Sequence, residues 1–370
     1  MNINTRFQSH TNPISSHCAI VHSTFYTNLH IHTAVNMIPR AGSGLSCHHA
    51  STKSLTILTI TTLLGLSSAQ SSKRGFAYVG NTHAPDNQIL TSDNSPIKWY
   101  YNWAPSPDPH VSTSIEFTPL IHGLDEASSQ HISSQLSNLP SSSTHLLSFN
   151  EPDGTTESGG SSISPEDAAR SYIDHIVPFR EGDRKWKISH PSVTGSGNGL
   201  DWLRRFNESC YEIDGDNGCP ADFVAAHWYG AFDGLASWLG TLDEFYNTNS
   251  SRDGEDLKIW ITELALPQQD EQATVEMMNS TLPYLDGLEY VEKYAWFGAF
   301  RAKDANEWTG DAVALFDNGG GLTELGALYM GDGFSEGQKG EGEGAAGTLL
   351  VNWQSTILLL VTAVCFSNYW

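Results

Sequence analysis

The sequence predicts a single (β/α)8 barrel, and three observations carry that prediction. Short apolar, β-rich runs recur eight times between Lys73 and Met330, and roughly 260 residues is the usual size of such a barrel. Most of these runs are separated by stretches long enough for a helix, and strand–helix alternation favours a parallel sheet. Two of the runs end on a glutamate, at Glu151 and Glu263, with a separation that suits the barrel repeat. An open doubly wound sheet would give a similar rhythm, but no Gly-rich phosphate loop follows any run.

In order, the runs begin near Gly75, Lys98, Ile115, Leu146, Ile188, Phe223, Ile259 and Tyr294. Thr82 to Pro96 is rich in turn formers, so no clear helix is expected after the first run. Asp125 to Leu139 and Asp270 to Leu285 are candidate helices. Ser164-Pro-Glu-Asp opens another, with an N-cap, a first-turn proline and early acids, continuing from Ala168 to Phe179. Glu151 closes the fourth run and Glu263 the seventh. They lie 112 positions apart (263 − 151), about 37 per unit over three units, against roughly 30 in an average barrel. That count places both carboxylates on the C-terminal rim.

The two ends are expected to be targeting segments rather than folded domains. Residues 1–72 hold a polar extension without sustained period and then an apolar stretch, Leu55 to Leu66. Lys53 precedes that stretch and Ser67-Ser-Ala69 follows it, which is the layout of a signal peptide cleaved between Ala69 and Gln70. The stretch lies far from Met1, so Met37 is the expected start; a signal-anchor helix is the rival reading. Residues 332–347 form a Gly/Glu-rich linker, and residues 348–370 an apolar tail. Together they resemble a GPI-attachment signal with its site near Gly344. A transmembrane anchor is the alternative, although Asn352 and Gln354 interrupt the run and no basic residue follows it.

Composition narrows the partners. Lys and Arg total 19 against 42 Asp and Glu, a formal net charge of −23, which argues against nucleic acid or an anionic membrane surface and suits a neutral ligand. Contact with membrane is expected only through the lipid anchor, and the chain is expected to be a monomer. Outside the ends, Cys210 and Cys219 remain as an even pair around a short loop, a likeness to a disulfide in an oxidising compartment. No companion Cys or His sits at ligand spacing, so neither a metal nor a cofactor is expected. Sequons at Asn207, Asn249 and Asn279 add candidate glycosylation sites.

A carboxyl group at the end of a buried strand is costly unless something uses it. Two on separate strands are what cleavage of a glycosidic bond requires: an acid to protonate the leaving oxygen, and a carboxylate to attack or to activate water. The segments around them sharpen this. Arg74-Gly-Phe-Ala-Tyr78, Trp99-Tyr-Tyr-Asn-Trp103, Ser148-Phe-Asn-Glu-Pro-Asp153, Ala225-Ala-His-Trp-Tyr-Gly230, Trp260-Ile-Thr-Glu-Leu-Ala265 and Tyr294-Ala-Trp-Phe297 stand in this order. In that order and spacing the chain resembles glycoside hydrolase family 128, β-1,3-glucanases within the clan of retaining (β/α)8 glycosidases. The resemblance covers about Arg74 to Gly331. It implies that Glu151 is the acid/base, Glu263 the nucleophile and β-1,3-glucan of the cell wall the substrate. It further implies that Asn150 bonds the sugar 2-hydroxyl, that Tyr229 donates to Glu263, and that Trp296 stacks on the ring.

Blander readings stand beside these. Glu151 can cap the Pro152-Asp153-Gly154 turn, Glu263 can be a strand-end ion-pair partner, and Tyr229 and His227 can be core residues. Trp99, Tyr101 and Trp103 share one face of a strand by period two, lining either the barrel interior or a glucan groove. Trp308, in the loop after the last run, is a candidate wall of the substrate site. A transglycosidase needs the same two carboxylates, and a glucan-binding wall protein without turnover would keep the aromatic residues.

Overall fold

The computed structural model describes residues 73–80, 83–248 and 255–340. Eight strands form one all-parallel sheet: β1 (Arg74–Ala77), β2 (Trp99–Tyr101), β3 (Glu116–Phe117), β4 (His145–Leu146), β5 (Lys187–His190), β6 (Phe223–Tyr229), β7 (Lys258–Ala265) and β8 (Val291–Trp296). All eight expected runs are strands. β1 pairs with both β2 and β8, and the order proceeds round to β4. The last seam lies just beyond β3 and β4. There Leu147 N–H donates to Pro119 O and Ile121 N–H to Leu147 O, each at 2.9 Å. With Asn150 N–H donating to His122 O at 3.0 Å, these bonds close the sheet into a barrel, which removes its exposed edges.

Helices follow most strands: α1 (Asn87–Leu90), α2 (Leu124–Ala127), α3 (Ile132–Ser137), α4 (Pro165–Ser171), α5 (Val177–Glu181), α6 (Gly199–Ile213), α7 (Phe232–Asp243), α8 (Glu271–Gly287) and α9 (Glu324–Met330). α4 starts as its sequence predicts, with Ser164 accepting from the Asp167 N–H and Pro165 in the first turn. α8 is capped by Asp270. Two expected helices are broken. Between α2 and α3 the Ser128 hydroxyl donates to the Leu124 carbonyl and Ser129 accepts from the His131 N–H. Serine side chains there compete for the backbone that a continuous helix would use. The 164–179 segment passes through a wider π turn, Tyr172–Ile176, just ahead of Pro178, which has no N–H to give and crowds the carbonyl four residues back.

The barrel interior is packed rather than open, as this fold requires. Trp260 lies 4.4 Å from Phe223, 4.6 Å from His145 and 5.3 Å from Trp99, measured between ring centroids. Lys293 caps this aromatic layer, with Nζ 4.2 Å from the Trp260 ring and 2.7 Å from Glu116. Gly75 in β1 is required here, because a Cβ would stand 2.3 Å from the Trp99 ring. With this end of the barrel filled, the opposite rim is the place left for chemistry.

One boundary differs from expectation. Residues 332–340, read as linker, return to the body: Leu322 N–H donates to Gln338 O, Gly337 N–H to Leu322 O and Lys339 Nζ to Gly319 O. The expected signal segment, cleavage point, anchor site and apolar tail, and the sequon at Asn249, lie outside the described residues. Among the described residues no helix is long and apolar enough to cross a membrane. Cys210, near the end of α6, and Cys219 form the expected disulfide. Asn279 is exposed on α8 and Asn207 half-buried on α6.

Candidate active site

Glu263 lies inside β7, two residues before its end, and is buried. The β6–β7 register sets His227 directly beside it, through an irregularity between Ala226 and His227. Glu151 comes five residues after the short β4, fixed by its own N–H, which donates to Ser192 O at 2.8 Å. Its φ of +40° is in the left-handed region, a strained state for glutamate that persists only where the surroundings enforce it. Gly160 supplies part of that enforcement: a Cβ there would stand 2.6 Å from the Glu151 carbonyl. One carboxylate oxygen each from Glu151 and Glu263, together with a His227 ring nitrogen, lie within 4.8 Å of one another.

The two carboxyls have unequal company. Glu263 receives Tyr229 Oη at 2.5 Å, Trp103 Nε1 at 2.8 Å and Tyr101 Oη at 3.2 Å. Burial and the adjacent Glu263 charge push both tyrosines well above the usual phenol range, so they stay protonated and donate. Three donors on one carboxylate occupy its lone pairs and fix its orientation. Glu151 instead meets His227 Nδ1 at 2.9 Å. Burial raises the Glu151 pKa, and the negative Glu263 and Asp153 add to the rise, while His227 pulls the other way. His227 is fully buried, which works against charging its ring, yet the carboxylates of Glu263 and Glu151 outweigh that and raise it too. Burial and neighbouring charge thus favour a proton on Glu151, while three hydrogen-bond donors face Glu263.

The same three side chains could face a metal ion by distance alone. The donor set does not fit one, because Glu263 already sits among an indole N–H and two phenol hydroxyls, which present hydrogens rather than lone pairs. The carboxylates open instead onto a cavity of about 560 Å³ lined by Trp103, Asn150, Tyr229, Phe297 and Trp308 among others. That volume is ordinary for a small-molecule site. Asn150 donates from Nδ2 to Gly159 O at 3.2 Å, and its Oδ1 is buried without a hydrogen-bond partner.

The sequence-based candidates divide clearly. Glu151, Glu263, Asn150, Tyr229, Trp103 and Trp308 line the cavity. Tyr101 and His227 lie beneath it, in contact with the carboxylates. The three aromatics of β2 and its extension serve successive depths. Trp99 packs in the barrel, Tyr101 stacks on it at 6.2 Å, and Trp103 reaches the cavity 5.0 Å from Tyr101. Trp296 is a correction. It is only 1% exposed, its indole N–H donates to Val313 O at 2.9 Å, and it is not part of the cavity wall. Phe297, the next residue, takes that place. Sequence reading also missed His122 and Thr194, loop residues of the wall whose types carry no chemical signature of their own.

Residues 75–329 match the family model described as glycosyl hydrolase catalytic core. Among curated proteins, the chain is 32% identical over 274 residues to alkali-sensitive linkage protein 1 of Schizosaccharomyces pombe, covering 71% of this chain and 45% of that protein. The chain thus spans about half the length of that relative. Among solved structures it is similar to a curdlan-specific exo-β-1,3-glucanase of glycoside hydrolase family 128 from Blastomyces gilchristii, at 27% identity and TM-score 0.53, covering 70% of this chain and 98% of that one. It is also similar to a family 128 endo-β-1,3-glucanase from Lentinula edodes, at 26% identity and TM-score 0.56, covering 70% and 99%. The chain belongs to the glycosyl hydrolase catalytic-core family, with family 128 glucanases as its structural neighbours.

Proposed function

We propose that this protein hydrolyses β-1,3-glucan with retention of configuration, Glu151 acting as acid/base and Glu263 as nucleophile. The observation that carries the reading is the unequal environment of two carboxyls whose oxygens approach within 4.8 Å. Retaining glycosidases hold their carboxyl groups about 5–5.5 Å apart, and inverting ones need room for a water between them. In the first step, Glu263 attacks the anomeric carbon while Glu151 gives its proton to the leaving glycosidic oxygen. The bond to the leaving sugar breaks and a glycosyl ester of Glu263 forms. Glu151, now ionised, takes a proton from water, which attacks the same carbon and releases Glu263. Asn150 Oδ1 is available to accept from the sugar 2-hydroxyl, a bond that strengthens as positive charge develops on the ring.

His227 bridges the two roles. It touches Glu151 at 2.9 Å and approaches Glu263 to 3.5 Å, so it can follow the charge as it passes between the carboxyls. The substrate assignment is supported by the structural neighbours, which are β-1,3-glucanases. Secretion, with lipid anchoring at the cell surface and action on the cell wall, is proposed from the terminal segments and fits the disulfide. Release of the protein from cells by a phosphatidylinositol-specific phospholipase checks the anchor.

The function is tested by incubating the purified protein with laminarin and β-1,3-oligoglucosides, alongside Glu151→Ala and Glu263→Ala. Release of shorter glucans by the wild type alone is expected. Azide should rescue Glu263→Ala and give a glycosyl azide of inverted configuration. Binding of laminarin without any product would replace this reading with that of a glucan-binding protein.

A further inference from the structure

We propose that the site is a cleft continuing on both sides of the carboxylate pair, so that it takes an internal stretch of glucan and cuts away from the chain ends. The proposal rests on the glucanase reading above and adds the mode of attack. Structural neighbours of this chain include both exo- and endo-acting enzymes, so fold alone does not decide it.

In an eight-stranded barrel, the loops after β3 and β4 stand across the rim from those after β7 and β8. The cavity draws its walls from both. Pro267 and Trp308 come from the β7 and β8 loops, and His122, Ser158 and Gly159 from the β3 and β4 loops. Glu151 follows β4 and Glu263 lies on β7, so one carboxylate comes from each side, and the cavity has walls beyond both.

Each margin offers a place for further sugar. On the β3/β4 side lies a second cavity of about 390 Å³, and His122 lines both it and the first. Its other walls include Gly123, Glu126, Thr156 and Ser161, which present hydroxyls, a carboxyl and backbone to a polar chain. On the β7/β8 side stands Trp308, 64% exposed, the most exposed large apolar side chain among the described residues. Its loop is held firmly. Asn306 Oδ1 accepts from the Trp308 N–H, the Thr309 N–H and the Thr309 hydroxyl, all within 3.0 Å. Gln268, in the left-handed region at φ +58°, donates from Nε2 to the carbonyls of Glu307 and Trp308. A left-handed glutamine and a three-way asparagine acceptor fix the backbone that carries this solvent-facing indole. An exposed indole beside a sugar site suits stacking on a pyranose face.

The test uses laminarin-type oligoglucosides blocked at the reducing end by reduction, at the non-reducing end by oxidation, or at both. The full protein should cleave all three at similar rates and give products of several sizes from the first minutes. Trp308→Ala should raise KM roughly 2–10-fold for a hexasaccharide while changing that for a trisaccharide less. Thr156→Trp, which fills the second cavity, should shift the pattern of cleavage positions along the hexasaccharide. Release of one fixed product from a single end, with end-blocked chains inert, would overturn the proposal and leave the glucanase reading standing. Absence of product from every glucan would overturn both.

Discussion

At the residue scale, the site separates two identical carboxyl groups by what surrounds each. Glu263 has three donors, and removing one should cost about 1.5–3 kcal/mol, the range for hydrogen bonds to a charged group. Tyr229→Phe is therefore expected to lower kcat by roughly 10–100-fold, read from steady-state kinetics on a soluble oligoglucoside. Glu151→Gln removes the proposed proton donor and should lower kcat about 10²–10⁴-fold. Asp153 tests the electrostatics more finely. It accepts from the Thr194 N–H and hydroxyl, and its charge adds to the burial that holds Glu151 up. Asp153→Asn should move the alkaline limb of the kcat/KM profile to lower pH.

The same raised values have a stability consequence. Glu151 and His227 both hold protons more tightly folded than unfolded. Their contribution is complete below the unfolded values, about 4.3 and 6.5, and is lost as pH rises through the folded ones. Thermal midpoints should therefore fall between pH 5 and pH 8, and fall less in Glu151→Gln, where one of the two groups no longer titrates.

At the element scale, the strands and the loops differ in what fixes them. Eight strand starts were legible because apolar runs and turn residues are local signals, and Asn150-Glu151 was legible because a glutamate rarely ends such a run without a use. Trp296 was misplaced by one residue. Its register partners are irregular, with a shift between Ile261 and Leu264, so simple alternation does not say which of Trp296 and Phe297 faces the cleft. The clamp of Gln268 and Asn306 on Trp308 was invisible, because it depends on contacts about 40 positions apart and on a left-handed glutamine. The disulfide at the end of α6 closes a short loop with a sequence separation of 9. Cys210→Ser with Cys219→Ser should cost about 2–3 kcal/mol, lowering the thermal midpoint by roughly 4–12 °C in a domain of this size.

At the scale of the whole molecule, the barrel is closed by three backbone bonds between the β3 and β4 extensions and is backed by residues 332–340. The latter segment read as linker because it belongs to a stretch rich in glycine and glutamate. What holds it is distant backbone pairing with Leu322 and a lysine bond to Gly319, which composition does not encode. Ending the protein at Gly331 rather than Gly340 should lower its thermal midpoint by a few degrees, reflecting roughly 1–3 kcal/mol from those bonds.

The division of labour between Glu151 and Glu263 is tested most directly by trapping the covalent intermediate. A 2-deoxy-2-fluoro glucosyl donor slows the second step, and peptide mapping by mass spectrometry then locates the sugar. The account predicts a single label on Glu263, in the peptide containing Trp260 to Ala265. A label on Glu151, or no label together with a first product of inverted configuration, would contradict it.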